Sequence, residues 1–235
     1  MKNLIIASTS TIHGSDFLEY LLSDLKILFK ESDMILFIPY ARPGGISHNS
    51  YTEKVRTVFK KIGKSVMGLH EFKNPNEAIN NAKGIFIGGG NTFVLVNQLY
   101  KNNLIQTLRE NVLSGTPYLG TSAGSNICGL TINTTNDMPI VYPPSFKTLA
   151  IVPFNINPHY LDPDRESTHM GETRETRIKE FHKFNTQPVI GLREGSFLKV
   201  NDNDIILKGP HSARIFEYNK NPYEIATNSS LKNIE

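Results

Sequence analysis

Met34-Ile35-Leu36-Phe37-Ile38 is five apolar residues in a row, closed by Pro39. A strand with one face in water alternates apolar and polar residues, whereas an unbroken run belongs to a strand covered on both faces. The flanking sequence supplies the cover. Upstream, Leu4-Ile5-Ile6-Ala7 reads as a strand, and Phe17, Leu18, Leu21, Leu22, Leu25 and Leu28 follow at helical spacing behind an N-cap at Ser15 or Asp16. Downstream, a helix over about 50–62 presents Val55, Val58, Phe59 and Ile62 on one side and a solvated set of Lys54, Arg56, Lys60, Lys61 and Lys64 on the other. A weaker strand at 65–69, a short helix after Pro75, a strand at 85–87, helices at 92–100 and 104–113 and a strand at 117–120 continue the alternation. The pattern predicts an α/β fold, a mainly parallel sheet with helices on both faces in three αβα layers.

Beyond residue 138 the texture changes. Prolines surround short apolar pieces, a helix is predicted over 172–184, and apolar runs at 189–192, 197–200, 205–207 and 213–216 predict a C-terminal β-meander. No repeat and no separating linker is visible, so residues 1–235 are expected to form a single α/β hydrolytic domain, with 219–235 as an exposed tail.

The 235 residues carry 25 basic and 22 acidic side chains, and the resulting net charge of +3 is too mild for a nucleic-acid binder. A single cysteine, Cys128, rules out an internal disulfide or a CxxC site. No apolar run approaches the roughly 18 residues of a membrane span, and 4–7 is too short for a signal-peptide core. A cytoplasmic protein with neither nucleic-acid nor membrane partners is expected. The oligomeric state stays open, a homodimer included.

The sharpest chemical signal is Gly120-Thr121-Ser122-Ala123-Gly124, a G-x-S-x-G pattern between a strand and an apolar helix through Ile127, Cys128 and Leu130. Such a turn lifts the serine hydroxyl to the top of the sheet beside backbone N–H groups that can hold an oxyanion. The same glycines would also serve a tight turn without chemistry. Gly88-Gly89-Gly90-Asn91-Thr92 again joins a strand to a helix, and its exposed amides suit an anion or the second half of an oxyanion hole. Phe93 in the sixth position removes the dinucleotide fingerprint, and no Gly-Lys-Ser/Thr ending makes a phosphate loop.

A serine nucleophile needs a base. His13, His48, His70, His169, His182 and His211 read as surface or loop residues, His182 as solvated, whereas His159 follows an apolar strand and a rigid proline turn. His159, Asp162 and Asp164 lack a fourth metal ligand, so neither a metal nor any other cofactor is expected. Asp137 and Glu194 are both candidates to orient the histidine, and either could instead receive a substrate ammonium group. Cys128, nearly two turns into the elbow helix and expected to be buried, fails as a nucleophile on position.

Six blocks in order, GGGNTF (88–93), G-x-SAG-x-N (120–126), TTNDMPI (134–140), INPH (156–159), GETRE-x-RI (171–178) and GL-x-EG (191–195), make the chain resemble the peptidase E family of serine peptidases over about residues 1–218. The resemblance implies a class I glutamine amidotransferase-like fold and metal-free cleavage of short peptides after an N-terminal aspartate. It also implies Ser122 as nucleophile, His159 as base and Asp137 or Glu194 as third member, with an oxyanion hole from Gly89, Gly90 and Ala123. Arg174 and Arg177, three apart on one helix face, and Asn91 are the candidate substrate contacts; the arginines could instead pair with Glu172, Glu175 or Glu180. The rivals are a cyanophycinase-like or isoaspartyl serine hydrolase and a non-catalytic module that binds acidic peptides.

Overall fold

In the computed structural model, which describes every residue except 165, 167, 169, 233 and 235, the alternating pattern becomes a seven-stranded sheet. Its elements are β1 (Asn3–Ala7), α1 (Leu22–Leu28), β2 (Met34–Ile38), α2 (His48–Lys60), β3 (Ser65–Gly68), α3 (Pro75–Asn80), β4 (Ile85–Ile87), α4 (Thr92–Lys101), α5 (Ile105–Ser114), β5 (Tyr118–Thr121), β8 (Phe197–Asn201) and β9 (Asp204–Lys208). A second sheet of four strands contains β6 (Asn155–Pro158), β7 (Val189–Leu192), β10 (Ala213–Phe216) and β11 (Tyr223–Ile225). Two further helices, α6 (Ala123–Asn126) and α7 (Arg174–Phe181), lie between β5 and β6 and between β6 and β7.

The large sheet runs β3-β2-β4-β5-β1-β8-β9, parallel from β3 to β1 and antiparallel at β8 and β9. Successive strand residues face opposite sides. Ile5, Ile35, Phe37, Phe86 and Leu119 therefore join Leu25 of α1 and Val55 and Phe59 of α2 in one core. Leu4, Ile6, Leu36, Ile38, Ile85 and Ile87 join Leu95 and Leu99 of α4 and Leu108 and Val112 of α5 in the other, which also takes in Ile156, Ile190 and Ile215 of the second sheet. The αβα layering follows directly from the unbroken apolar strands.

Four expectations need correction. The first helix starts late: Leu18 has φ +58°, a 3₁₀ turn covers Glu19–Leu21, and neither Ser15 nor Asp16 caps α1. The Ser15 hydroxyl and the Asp16 N–H instead donate to the Glu19 carboxylate. The elbow helix stops at Asn126, short of Leu130, because the carbonyls of Ile127, Cys128 and Gly129 accept N–H groups from residues 149–152. The C-terminal strands are shared between sheets rather than forming one meander. β8 and β9 extend the large sheet beside β1, while β7 and β10 pair in the second.

The segment from 219 onward is not an exposed tail. β11 pairs with β10, and Leu231 and Ile234 are only 2% and 8% exposed in the core. Both are apolar residues whose burial removes surface from water, which sequence motifs do not report. Leu231→Ala is expected to cost about 2–4 kcal/mol in urea unfolding, against no more than about 0.5 kcal/mol for Ile27→Ala at an exposed position.

Candidate active site

The G-x-S-x-G turn sits at the carboxyl end of β5, beside the carboxyl end of β4. A Cβ on Gly124 would collide with the Ile87 carbonyl, so only glycine lets the elbow pack this closely on β4. Ser122 has φ +53° and ψ −110°, a backbone that side-chain-bearing residues rarely adopt. It is pinned on both sides. Its N–H donates to Ala7 O at 3.1 Å, and its carbonyl accepts the N–H groups of Ser125 and Asn126, each at 2.9 Å. The Ser125 hydroxyl donates to the same Ala7 carbonyl at 2.6 Å.

His159 comes from the second sheet. β6 and β7 are parallel with Pro158 opposite Leu192, so His159 and the 193–195 turn leave the sheet at the same end. His159 also has a positive φ, +55°, and its N–H donates to the Ser8 hydroxyl at 2.9 Å. Ser8 is fully buried at the end of β1, and its hydroxyl donates in turn to Leu192 O at 2.7 Å. With its main chain so held, the imidazole Nε2 lies 2.9 Å from Ser122 Oγ and its Nδ1 lies 2.6 Å from Glu194 Oε1.

Glu194, not Asp137, therefore meets the ring. Asp137 Oδ2 accepts the Thr92 N–H at 2.8 Å, the Thr92 hydroxyl at 2.6 Å and the Thr135 hydroxyl at 3.1 Å, which ties it to the start of α4. The other Asp137 oxygen has no partner among the described residues.

The glycine loop abuts the serine. A Cβ on Gly89 would lie 3.0 Å from Ser122 Cβ and 3.5 Å from its Oγ. The buried Tyr51 hydroxyl donates to Gly89 O at 3.3 Å, and because the peptide is planar and trans this turns the Gly90 N–H to the opposite side. Among the described residues the N–H groups of Gly89, Gly90 and Ala123 have no acceptor.

The substrate candidates divide. The Asn91 amide is committed within the chain, accepting Val94 N–H at 3.1 Å and donating to Met138 O at 2.9 Å. Arg174 and Arg177, at the start of α7, form no ion pair with Glu172, Glu175 or Glu180 among the described residues; Glu175 pairs with Lys179 and Arg214 instead. Burial lowers the Arg174 pKa, with the Arg177 charge adding to it and Asp137 acting in the opposite direction, so Arg174 lies within the field of Asp137.

Of the other histidines, His48 and His70 stand 5.4 Å apart on and beside α2, and His169 lies outside the described residues. His182 is not solvated: it is 9% exposed, because the chain after α7 turns back to bring Gln187 O within 3.0 Å of Nε2 and the Tyr218 ring lies edge-on to the imidazole. Asp162, weighed as a metal ligand, is held by Arg193. Burial pushes the Cys128 thiol up to about 12, which leaves no thiolate near neutral pH. No helix among the described residues is long and apolar enough to cross a membrane.

Comparison with known proteins meets this geometry from the other side. The family model described as "Peptidase family S51" matches residues 4–208. The chain belongs to peptidase family S51. It is 45% identical over 232 residues to "Peptidase E" of Streptomyces coelicolor, covering 99% of this chain and 94% of that one. It is also 45% identical over 233 residues to a Drosophila melanogaster protein named "Probable alpha-aspartyl dipeptidase", covering 98% and 96%. The solved structure of a peptidase from an acI-B1 actinobacterium superposes with a TM-score of 0.72 at 18% identity over 98% and 96% of the two chains, a likeness of fold.

As an S51 member the chain is a peptidase, and parts of its site had no sequence signature. The Ser8 hydroxyl acts through two hydrogen bonds, and the Tyr51 hydroxyl through one, to backbone groups far away in the chain. Their only local signal is a polar residue at the end of an apolar strand, or an aromatic one on the buried face of α2. Ser8→Ala leaves the His159 N–H without its acceptor, while Leu192 O keeps the Tyr160 N–H, so a stability loss of about 1–3 kcal/mol is expected in urea unfolding. A fall in peptidase turnover is expected with it, as His159 loses its anchor.

Proposed function

We propose that this S51 member is a serine dipeptidase that hydrolyses the peptide bond after an N-terminal aspartate. The observation that carries the reading is the continuous contact from Ser122 Oγ through His159 to Glu194, facing three unpartnered N–H groups. The aspartyl preference draws on the name of the Drosophila relative.

In this reading His159 Nε2 takes the Ser122 proton as the hydroxyl oxygen attacks the carbonyl carbon of the aspartyl residue. Glu194 holds the ring with Nδ1 protonated and stabilises the imidazolium that forms. The tetrahedral oxyanion is received by N–H groups of Gly89, Gly90 and Ala123, each such donor being worth about 2.7–4 kcal/mol in comparable sites. His159 then protonates the leaving amine as the C–N bond breaks, giving an aspartyl ester on Ser122. Water, deprotonated by His159, attacks that ester, and free aspartate leaves as Ser122 recovers its proton. The chemistry is complete with these side chains and water.

Selectivity follows from charge. Asp137 has one oxygen free for the α-ammonium group, and Arg174 with Arg177 supplies planar donors for the β-carboxylate. Arg174 feels the Asp137 charge, and a substrate with ammonium and carboxylate on adjacent carbons presents the complementary pair.

Hydrolysis of Asp-Leu is the decisive assay, run beside Glu-Leu, Asn-Leu, N-acetyl-Asp-Leu and β-Asp-Leu. Cleavage of Asp-Leu alone is expected; cleavage confined to β-Asp-Leu would give an isoaspartyl hydrolase, and no turnover of any would leave a binding module. Glu194→Gln is expected to lower kcat by about 10⁴-fold. Asp137→Asn is expected to act chiefly by raising KM, since the lost contact is present in ground and transition states alike. Equal kcat effects of the two substitutions would overturn this division of roles.

A further inference from the structure

Arg193 stands one residue before Glu194, and its guanidinium is committed in every direction. Nε and Nη2 donate to Asp162 Oδ2 and Oδ1 at 2.8 and 2.6 Å. Nη1 and Nη2 donate to Glu224 Oε2 and Oε1, both at 2.9 Å. Nη1 also reaches the Ser212 carbonyl at 2.7 Å and its hydroxyl at 3.1 Å. Two bidentate carboxylates on one planar fork, with the side chain only 16% exposed, are beyond what a lysine can reproduce.

The anchors matter because of where they lie in the chain. Asp162 is three residues past His159, and Glu224 belongs to β11. The Glu194 side chain is 50% exposed, and the one side chain it bonds among the described residues is His159. Its place is set by its turn, which the Arg193 carbonyl closes by accepting the Ser196 N–H at 3.1 Å. The His159 main chain is held by Ser8 and, one residue on, by the Tyr160 N–H donating to Leu192 O at 3.1 Å, and Asp162 lies two residues beyond that last tie. One guanidinium thus joins the segment that follows His159 and Tyr160 to the turn that carries Glu194. Hydrogen bonds from Arg193 hold the Asp162 carboxyl below its ordinary pKa.

We propose that Arg193 is a positioning residue for the His159–Glu194 pair, clamping the segment after His159, through Asp162, to the turn that carries Glu194, with Glu224 of β11 bracing its far side. The inference rests on the reading of Ser122, His159 and Glu194 as the hydrolytic set. It makes the C-terminal strand part of the machinery, although that strand lies beyond every recognisable motif.

The test is Arg193→Lys, alone and combined with Glu194→Gln, with two readouts. The first is the downfield proton resonance of His159 Nδ1–H in its bond to Glu194, assigned by its loss in Glu194→Gln. The proposal expects Arg193→Lys to broaden it through exchange with water. The second is Asp-Leu hydrolysis, where kcat is expected to fall about 10- to 100-fold with KM within about twofold. In the Glu194→Gln background the same substitution is expected to cost less than about twofold more, because it acts through that carboxylate. Asp162→Asn, which removes one fork only, is expected to shift both readouts in the same direction by less, and serves if Arg193→Lys does not fold. An unmoved resonance and kcat with a lowered melting temperature would reduce Arg193 to a structural ion pair and overturn the proposal. Full multiplication of the two losses would do the same. Should the wild-type protein leave Asp-Leu intact, the functional reading fails while the proton resonance still decides on the clamp.

Discussion

At the active site the two sheets of this peptidase are tied by one buried hydroxyl, and the relative placement of Ser122 and His159 depends on it. Ser8 ends β1 of the large sheet, accepts the His159 N–H and donates to the Leu192 carbonyl, while its own N–H donates to Ser196 O. One residue thus ties the strand beside the serine turn to both strands that carry the histidine and the glutamate. A hydroxyl is suited to this place because it donates and accepts at once, and without it the His159 N–H would be left unpaired beside a fully buried position.

Backbone strain is concentrated at the same point. Ser122 and His159 both have positive φ without being glycine, a conformation costing on the order of 1–3 kcal/mol each. It persists because the surroundings over-determine it: Ala7 O and the first turn of α6 hold the serine, while Ser8 and the β6–β7 register hold the histidine. The result is a nucleophile and a base already within hydrogen-bond distance, so little reorganisation is needed for the proton to pass.

Much of this was legible in the residues. Unbroken apolar runs marked the inner strands, since burial on both faces leaves no alternation, and a period of 3.6 marked α2, α4 and α5 nearly to their ends. Local turn chemistry marked the serine and the glycine loop, because both need glycine at set offsets. The apolar pieces after residue 138 showed as strands, but their sheet did not show: β8 pairs with β1 almost 200 residues away, and β7 pairs with β6 and β10 instead. His182 looked solvated among lysines until the chain folded over it, and the last residues looked like a tail although Leu231 fills core space.

The sequence by itself determined the layered fold, the exposed serine turn, the facing glycine amides and the one histidine held after a strand and a proline. Each of these is written in neighbours within a few residues, where backbone sterics and side-chain spacing act. Only the tertiary structure decided which acid meets the imidazole. Asp137 and Glu194 are equal in local context, and their roles part because Asp137 is captured by Thr92 and Thr135 while β6–β7 pairing delivers Glu194 to Nδ1. That choice is made by strand register between residues more than 30 apart, and no local pattern encodes it.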